Sequence, residues 1–156
     1  MASPKIGEKA PVFKGESTGA SIVDLSKLKG KKVVLYFYPK DNTPGCTTEG
    51  QNFRDLYQEF VKENALIYGL SRESIKSHEN FIEKQSFPFD LISDTDEKIC
   101  KQYEVIKEKS MYGRKYMGIE RSTFLIDEKG ILIQEWRKVK VSGHAEEVLI
   151  TIKTRN

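Results

Sequence analysis

Hydrophobic positions along the chain alternate between two periods. Lys32-Val33-Val34-Leu35-Tyr36-Phe37-Tyr38 is a continuous β-branched and aromatic run, the pattern of a strand buried on both faces. Ala65-Leu66-Ile67-Tyr68-Gly69-Leu70-Ser71 repeats it. Between these runs, Phe53, Leu56, Tyr57, Phe60 and Val61 recur at spacings of three, four and seven, which predicts an amphipathic helix over 46–62. Residues 74–84 predict a second helix, with Ile75, His78, Phe81 and Ile82 on one side. Phe89-Asp90-Leu91-Ile92 is a short strand. Asp94-Thr95-Asp96-Glu97 reads as a capping box opening a helix that carries Ile99, Cys100 and Tyr103. Ser122–Asp127 and Ile131–Trp136 flank Glu128-Lys129-Gly130, a hairpin with a short glycine-containing turn. Ser142 caps a last helix whose Val148, Leu149 and Ile152 face inward. Residues 11–30 are turn-rich and punctuated by Gly15, Gly19 and Gly30, consistent with short hairpin strands.

Strands thus alternate with helices, and a hairpin and a helix close the chain. The expected fold class is α/β: a central mixed sheet with helices on both faces and a hairpin near the N-terminus. With no repeat, low-complexity tract or linker, residues 1–156 read as a single domain.

Composition narrows the function classes. Lys and Arg number 26 against 23 Asp and Glu, a net charge of +3, and the charges are interspersed. Without a basic stripe and interleaved aromatics, nucleic-acid binding is not expected. No apolar stretch approaches the roughly 20 residues of a membrane span, and Met1-Ala2-Ser3-Pro4-Lys5 has no apolar signal core. The expectation is a cytoplasmic protein without membrane contact. Two cysteines, Cys46 and Cys100, make neither a disulfide scaffold nor a zinc cluster.

The candidate chemistry is at Cys46. The strand-like run stops at Pro39, a polar turn Lys40-Asp41-Asn42-Thr43-Pro44-Gly45 follows, and Cys46 opens the next helix. A thiol in a first helical turn meets unpaired N–H groups and the positive end of the helix dipole, which favour thiolate. An unperturbed cysteine is only about 3% thiolate at pH 7, and a pKa of roughly 6 would make it about 90%. Thr43 lies three residues earlier, where its hydroxyl either serves the sulfur and an oxygen beside it or simply caps the helix. Pro44 fixes the turn and Gly45 relieves crowding. Glu49 occupies the position where a second cysteine would complete Cys-x-x-Cys, so disulfide exchange of the thioredoxin type is disfavoured. Glu49 either braces an arginine or suits the helix start. His78 reads as structural or exposed, and His144 has no catalytic place, so a Cys/His protease arrangement is weak. Tyr36, Phe37 and Tyr38 read as core and site wall.

Pro39-x-x-x-Thr43-x-x-Cys46 resembles the peroxiredoxin signature, and the likeness runs nearly the whole chain. It takes in Tyr36–Asp41, Thr43–Glu49, Phe53-Arg54-Asp55, Met111-Tyr112-Gly113, Gly118–Asp127 and Trp136–Leu149. The chain is similar to the peroxiredoxin Q, or bacterioferritin-comigratory-protein, subfamily. That resemblance implies a thioredoxin-like fold and thiol-dependent reduction of hydrogen peroxide and organic hydroperoxides. It makes Cys46 the peroxidatic cysteine, which becomes a sulfenic acid. Thr43 would orient the peroxide. Arg121, which without the resemblance reads first as a surface ion-pair partner, would lower the Cys46 pKa and stabilise developing charge. Pro39 would shield the thiolate, and the Gly45 and Cys46 N–H groups would complete the donor set. No metal or organic cofactor is implied.

The chain departs from the family where relatives carry a resolving cysteine: Gln51 and Ile82 stand there. Cys100 then reads as a buried hydrophobe, as a resolving thiol, or as an intersubunit or regulatory thiol. A one-cysteine cycle is preferred, completed by glutathione, glutaredoxin or thioredoxin, in a monomer or weak homodimer. A redox sensor and a thiol–disulfide oxidoreductase are the alternative readings.

Overall fold

A computed structural model describes residues 4–155. The first hairpin pairs β1 (Lys14–Ser17) with β2 (Ser21–Asp24). β3 (Lys32–Phe37) is buried at every position, as its uninterrupted apolar run requires. β3 lies parallel to β4 (Ala65–Ser71) and antiparallel to β8 (Ser122–Ile126). β5 (Leu91–Ser93) extends the parallel side, and β9 (Leu132–Trp136) closes the far edge. The seven strands run in the order β2-β1-β5-β4-β3-β8-β9.

Side chains of β3 alternate between two cores. Val33, Leu35 and Phe37 join Phe13, Leu70, Ile99, Cys100, Tyr103 and Phe124 on one face. Val34 and Tyr36, with Tyr38 just past the strand, join Cys46, Phe53, Phe60, Phe81, Leu125 and Val148 on the other. The second face is covered by α1 (Pro44–Asp55), α2 (Tyr57–Lys62), α3 (Ile75–Gln85) and α5 (His144–Arg155), and the first by α4 (Lys98–Gln102). This is the thioredoxin-like mixed sheet with helices on both faces and an N-terminal hairpin. The alternation also removes Phe37 from the expected site wall, because a strand sends neighbours to opposite faces.

Several boundaries shift. The helix expected over 46–62 begins at Pro44, whose ring suits a first helical position, and breaks at Leu56 into α1 and α2. The short strand expected over 89–92 is Leu91–Ser93. The expected capping box does not form. Glu97 adopts φ 63°, and its carboxylate pairs with Arg72 instead. The Asp94 carboxylate alone accepts from the Ile99 and Cys100 N–H groups. Ser142 is not the cap of α5: the Gly143 carbonyl accepts from Glu147, and the helix opens at His144. One element was absent from the pattern altogether. β6 (Ile106–Met111) and β7 (Arg114–Ile119) form a separate two-stranded hairpin. Its largely exposed Lys, Glu and Ser positions carry no alternation with a buried face.

Helix α1 lies close against Phe87 because position 50 has no side chain. A Cβ at Gly50 would run into the Phe87 ring, itself held by Phe81 and stacked on Phe89. Gly50→Ala is therefore expected to destabilise the fold. Overpacking of about 1–3 kcal/mol outweighs the roughly 1 kcal/mol that alanine returns in helix propensity. A urea midpoint equal to or above that of the parent chain would show that α1 can retreat from Phe87.

Candidate active site

β3 ends beside the middle of the sheet, and the chain continues through Tyr38 and Pro39 into a short loop leading to α1. Asn42 takes φ 61° in this loop, and Thr43, at φ −90° and ψ 154°, occupies the N-cap position of α1. The Thr43 carbonyl accepts from the Thr47 N–H. Cys46 is then the third helical residue, with the N–H groups of Gly45 and Cys46 among those for which the helix supplies no carbonyl. A thiol held here meets backbone donors and the positive helix end together.

The Thr43 side chain does not cap the helix. Its hydroxyl donates to the Lys40 carbonyl at 2.8 Å. With its proton so committed, Thr43 Oγ1 has only lone pairs left to offer a further partner. Pro39 is half-buried at the mouth of the loop.

Arg121 reaches this site from the junction of β7 and β8. Its Nη2 donates to Cys46 Sγ at 3.3 Å, and its Nη1 donates to Glu49 Oε1 at 2.6 Å. Gly45 makes room for this approach, since a Cβ there would lie 3.2 Å from Arg121 Nη2. The arginine side chain is 16% exposed and the glutamate 1%, so this is not a surface ion pair. Glu49 therefore does brace an arginine, and its other oxygen, Oε2, is buried without a hydrogen-bond partner. Burial pushes the Glu49 carboxyl up to about 7, against the pull of Arg121. Burial works against the Arg121 charge too, but Glu49 and Cys46 more than offset it and hold the guanidinium firmly protonated. One guanidinium thus spans a sulfur and a carboxylate, and the carboxylate gives up part of its charge near neutral pH.

These features match known proteins. The AhpC/TSA family profile covers residues 6–135. Peroxiredoxin Bcp of Xanthomonas campestris pv. campestris is 54% identical over 136 residues, covering 87% of this chain and 85% of that one. The chain belongs to the peroxiredoxin family. Peroxiredoxin Bcp of Bacillus subtilis is 50% identical over 149 residues, with 96% and 95% covered. A solved structure of Xanthomonas campestris peroxiredoxin Q superposes with a TM-score of 0.87 at 52% identity over 91% of this chain and 90% of that one. A further solved structure, of the Xanthomonas campestris bacterioferritin comigratory protein, is described in terms of that protein's alkyl peroxide reduction activity. It superposes with a TM-score of 0.88 at 51% identity, covering 92% and 91%. As a peroxiredoxin the chain is a thiol-dependent peroxidase, with a peroxide as substrate and a thiol as reductant.

The chain's two cysteines, Cys46 and Cys100, are both free and buried. Gln51 donates from Nε2 to Gln85 Oε1 at 2.8 Å, tying α1 to α3. Ile82 packs against the aromatic core between those helices. Cys100 is fully buried in the core on the opposite face of the sheet from Cys46. Its thiol is pushed far above the ordinary range by burial and by Asp94. The structure does not bring the two cysteines together. Among the described residues no cluster of His, Cys, Asp and Glu is fit to hold a metal ion, and no helix is long and apolar enough to cross a membrane.

His78 and His144 are both buried. His144 Nε2 lies 2.8 Å from Thr123 Oγ1, and its ring packs edge-on against Phe53 and Trp136. Burial lowers the His144 pKa to about 4. Asp41, quoted in the sequence only as part of the polar turn and of the resemblance and given no role there, is a buried carboxylate bonded to His78. A polar residue in a polar turn carries no mark of burial; only its two-residue distance from Thr43 pointed there.

Proposed function

We propose that Cys46 is the thiol that reduces the peroxide, and that it works in a one-cysteine cycle. The sulfur attacks the terminal oxygen of R–O–O–H. An S–O bond forms, the O–O bond breaks, and the electron pair leaves with RO⁻, which takes a proton to become ROH. Cys46 becomes a sulfenic acid. A first external thiol, R′SH, then forms Cys46–S–S–R′ and releases water. A second thiol restores Cys46 and departs as the disulfide R′SSR′. Each turnover thus consumes one peroxide and two thiols.

The observation that carries this reading is the Arg121 Nη2 contact with Cys46 Sγ, at 3.3 Å. It puts a fixed positive donor where charge moves from sulfur to departing oxygen. The Gly45 and Cys46 N–H groups, in the first turn of α1 where the helix supplies them no carbonyl, complete the donor set, and Thr43 Oγ1 accepts from the hydroperoxide O–H. Pro39 limits water at the sulfur. Substrates are hydrogen peroxide and organic hydroperoxides. Glutathione, glutaredoxin or thioredoxin supplies the thiols. Two unpaired cysteines suit a reducing cytoplasm, and we read the protein there as a monomer or weak homodimer.

The test is intact mass after one equivalent of hydrogen peroxide, with and without a sulfenic-acid trap. The expected product gains one oxygen, or one trap molecule, at Cys46. A Cys46–Cys100 disulfide as the main product would overturn the one-cysteine cycle, because it requires the sheet to open between the two cores. Cys46→Ser is expected to abolish thiol-dependent peroxide consumption.

A further inference from the structure

The loop that delivers Thr43 and Cys46 is tied to the body of the protein by one buried carboxylate. Asp41 Oδ1 accepts from the Tyr38 hydroxyl at 2.6 Å. Asp41 Oδ2 accepts from the Ser77 hydroxyl at 2.7 Å and faces His78 Nδ1 at 2.8 Å. The Tyr38 hydroxyl also lies 3.3 Å from that nitrogen. The other ring nitrogen, His78 Nε2, meets the Ile92 carbonyl at 3.0 Å. Asp41 is 5% exposed and His78 fully buried.

The proton inventory follows from the partners. A backbone carbonyl only accepts, so His78 Nε2 carries hydrogen. A carboxylate only accepts, so a proton also lies between Nδ1 and Oδ2. The pair is a closed histidine–carboxylate unit, buried on both sides and bonded at each ring nitrogen. Such a unit costs far more to break than to keep. It joins the β3–α1 loop to α3 and, through Ile92, to β5.

We propose that Asp41 and His78 are positioning residues for the peroxidatic cysteine. Asp41 stands two residues before Thr43 and five before Cys46, and the intervening chain is stiff. Thr43 Oγ1 closes the turn on the Lys40 carbonyl, Asn42 is fixed in the left-handed region, and Pro44 has a locked φ. A shift at Asp41 is therefore passed on to the Thr43 oxygen and to the Gly45 and Cys46 N–H groups. Arg121 comes from outside this loop, at the β7–β8 junction, where its carbonyl accepts from the Val139 N–H and its side chain bonds Glu49 farther along α1. The Asp41–His78 pair sets the loop half of the peroxide cradle against the arginine half. Peroxide transfer needs both halves in register. Alkylation of the sulfur needs only an accessible thiolate.

That difference supplies the test, which rests on the reading of Cys46 as the peroxide-reducing thiol. The reduced full chain and its Asp41→Asn, His78→Gln, Ser77→Ala and Asp41→Asn/His78→Gln variants are mixed with hydrogen peroxide and, separately, with iodoacetamide. In Asp41→Asn and His78→Gln the peroxide rate constant is expected to fall about 10- to 100-fold, as for a displacement of about 1 Å. The iodoacetamide constant should stay within about threefold, since alkylation makes no use of an oriented oxygen pair. The double variant should fall no further than the worse single one, because the two residues act as one unit. Peroxide constants within about twofold of the parent, or peroxide and iodoacetamide constants falling in proportion, would overturn the proposal. Should both buried variants fail to fold, Ser77→Ala decides. A severalfold peroxide loss with unchanged alkylation supports the anchor, and an unchanged peroxide constant removes it. Cys46→Ser separates the two failures. If it still consumes peroxide, the reading of Cys46 falls and the anchor with it. If it is inert while the anchor variants react like the parent, only the anchor falls.

Discussion

Arg121→Ala is expected to slow the reaction of Cys46 with hydroperoxide by about 100- to 1,000-fold, the usual cost of losing one preorganised donor at a site of developing charge. The same guanidinium bonds Cys46 Sγ and Glu49 Oε1. Its loss therefore leaves a buried carboxyl without its charge partner. A stranded buried charge would cost several kcal/mol, but Glu49 can escape that cost by taking a proton. Burial already raises it to about 7 with Arg121 present, and without the arginine it rises further. At neutral pH the variant should therefore fold and melt near the parent, while losing stability in alkaline buffer. Arg121→Ala/Glu49→Gln should remove that alkaline loss without recovering the rate. Arg121→Lys keeps a charge but loses the planar fork that reaches two partners, and belongs between the parent and the alanine variant. Stopped-flow oxidation of Cys46, read beside urea unfolding at pH 7 and pH 9, checks each point. Peroxide reactivity of Arg121→Ala within about threefold of the parent would remove the arginine from the chemistry.

The central strands, the order of helices and the last hairpin were legible because burial there leaves a periodic mark. Cys46 was legible because a strand, a Thr-Pro-Gly turn and a helix start follow one another without a gap. The rest depends on distances that a sequence does not carry. Arg121 lies 75 residues beyond Cys46 and reaches it because β8 pairs with β3. Glu49 suited a helix start as well as a brace, and only the fold chooses between them. The hairpin of β6 and β7 was invisible, since two strands exposed on most positions show no apolar period. The Asp41–His78 pair was hidden for the opposite reason: its burial is compensated within itself, residue against residue, across 37 positions. Gln51 and Ile82 were legible as missing thiols. That Cys100 lies behind the sheet was not.

Two buried groups on the Cys46 face of the sheet should give stability a pH dependence of opposite sign. Glu49 is raised from an ordinary 4.5 to about 7 by burial. Between those values the folded chain binds more protons than the unfolded one, so Glu49 makes stability fall as pH rises, by about 3 kcal/mol in all. His144 is lowered from 6.5 to about 4, again chiefly by burial, with Arg121 adding to it. Between those values the unfolded chain binds more protons, so His144 makes stability rise with pH, again by about 3 kcal/mol. From about pH 4.5 to 6.5 the two slopes oppose, and in the parent they largely cancel. Each emerges when the other is removed. Glu49→Gln is expected to lose stability, relative to the parent, as pH falls from about 7 toward 4.5. His144→Gln, which keeps a polar group for Thr123, is expected to gain stability relative to the parent as pH falls from 6.5 toward 4. Urea unfolding at half-unit pH steps, read as the difference between variant and parent, isolates each group from the surface carboxylates they share. Two difference curves of the same sign would overturn the assignment. Curves of opposite sign would show that the site's carboxyl gives up its charge close to neutral pH, where Arg121 is then left free to face the sulfur and the peroxide.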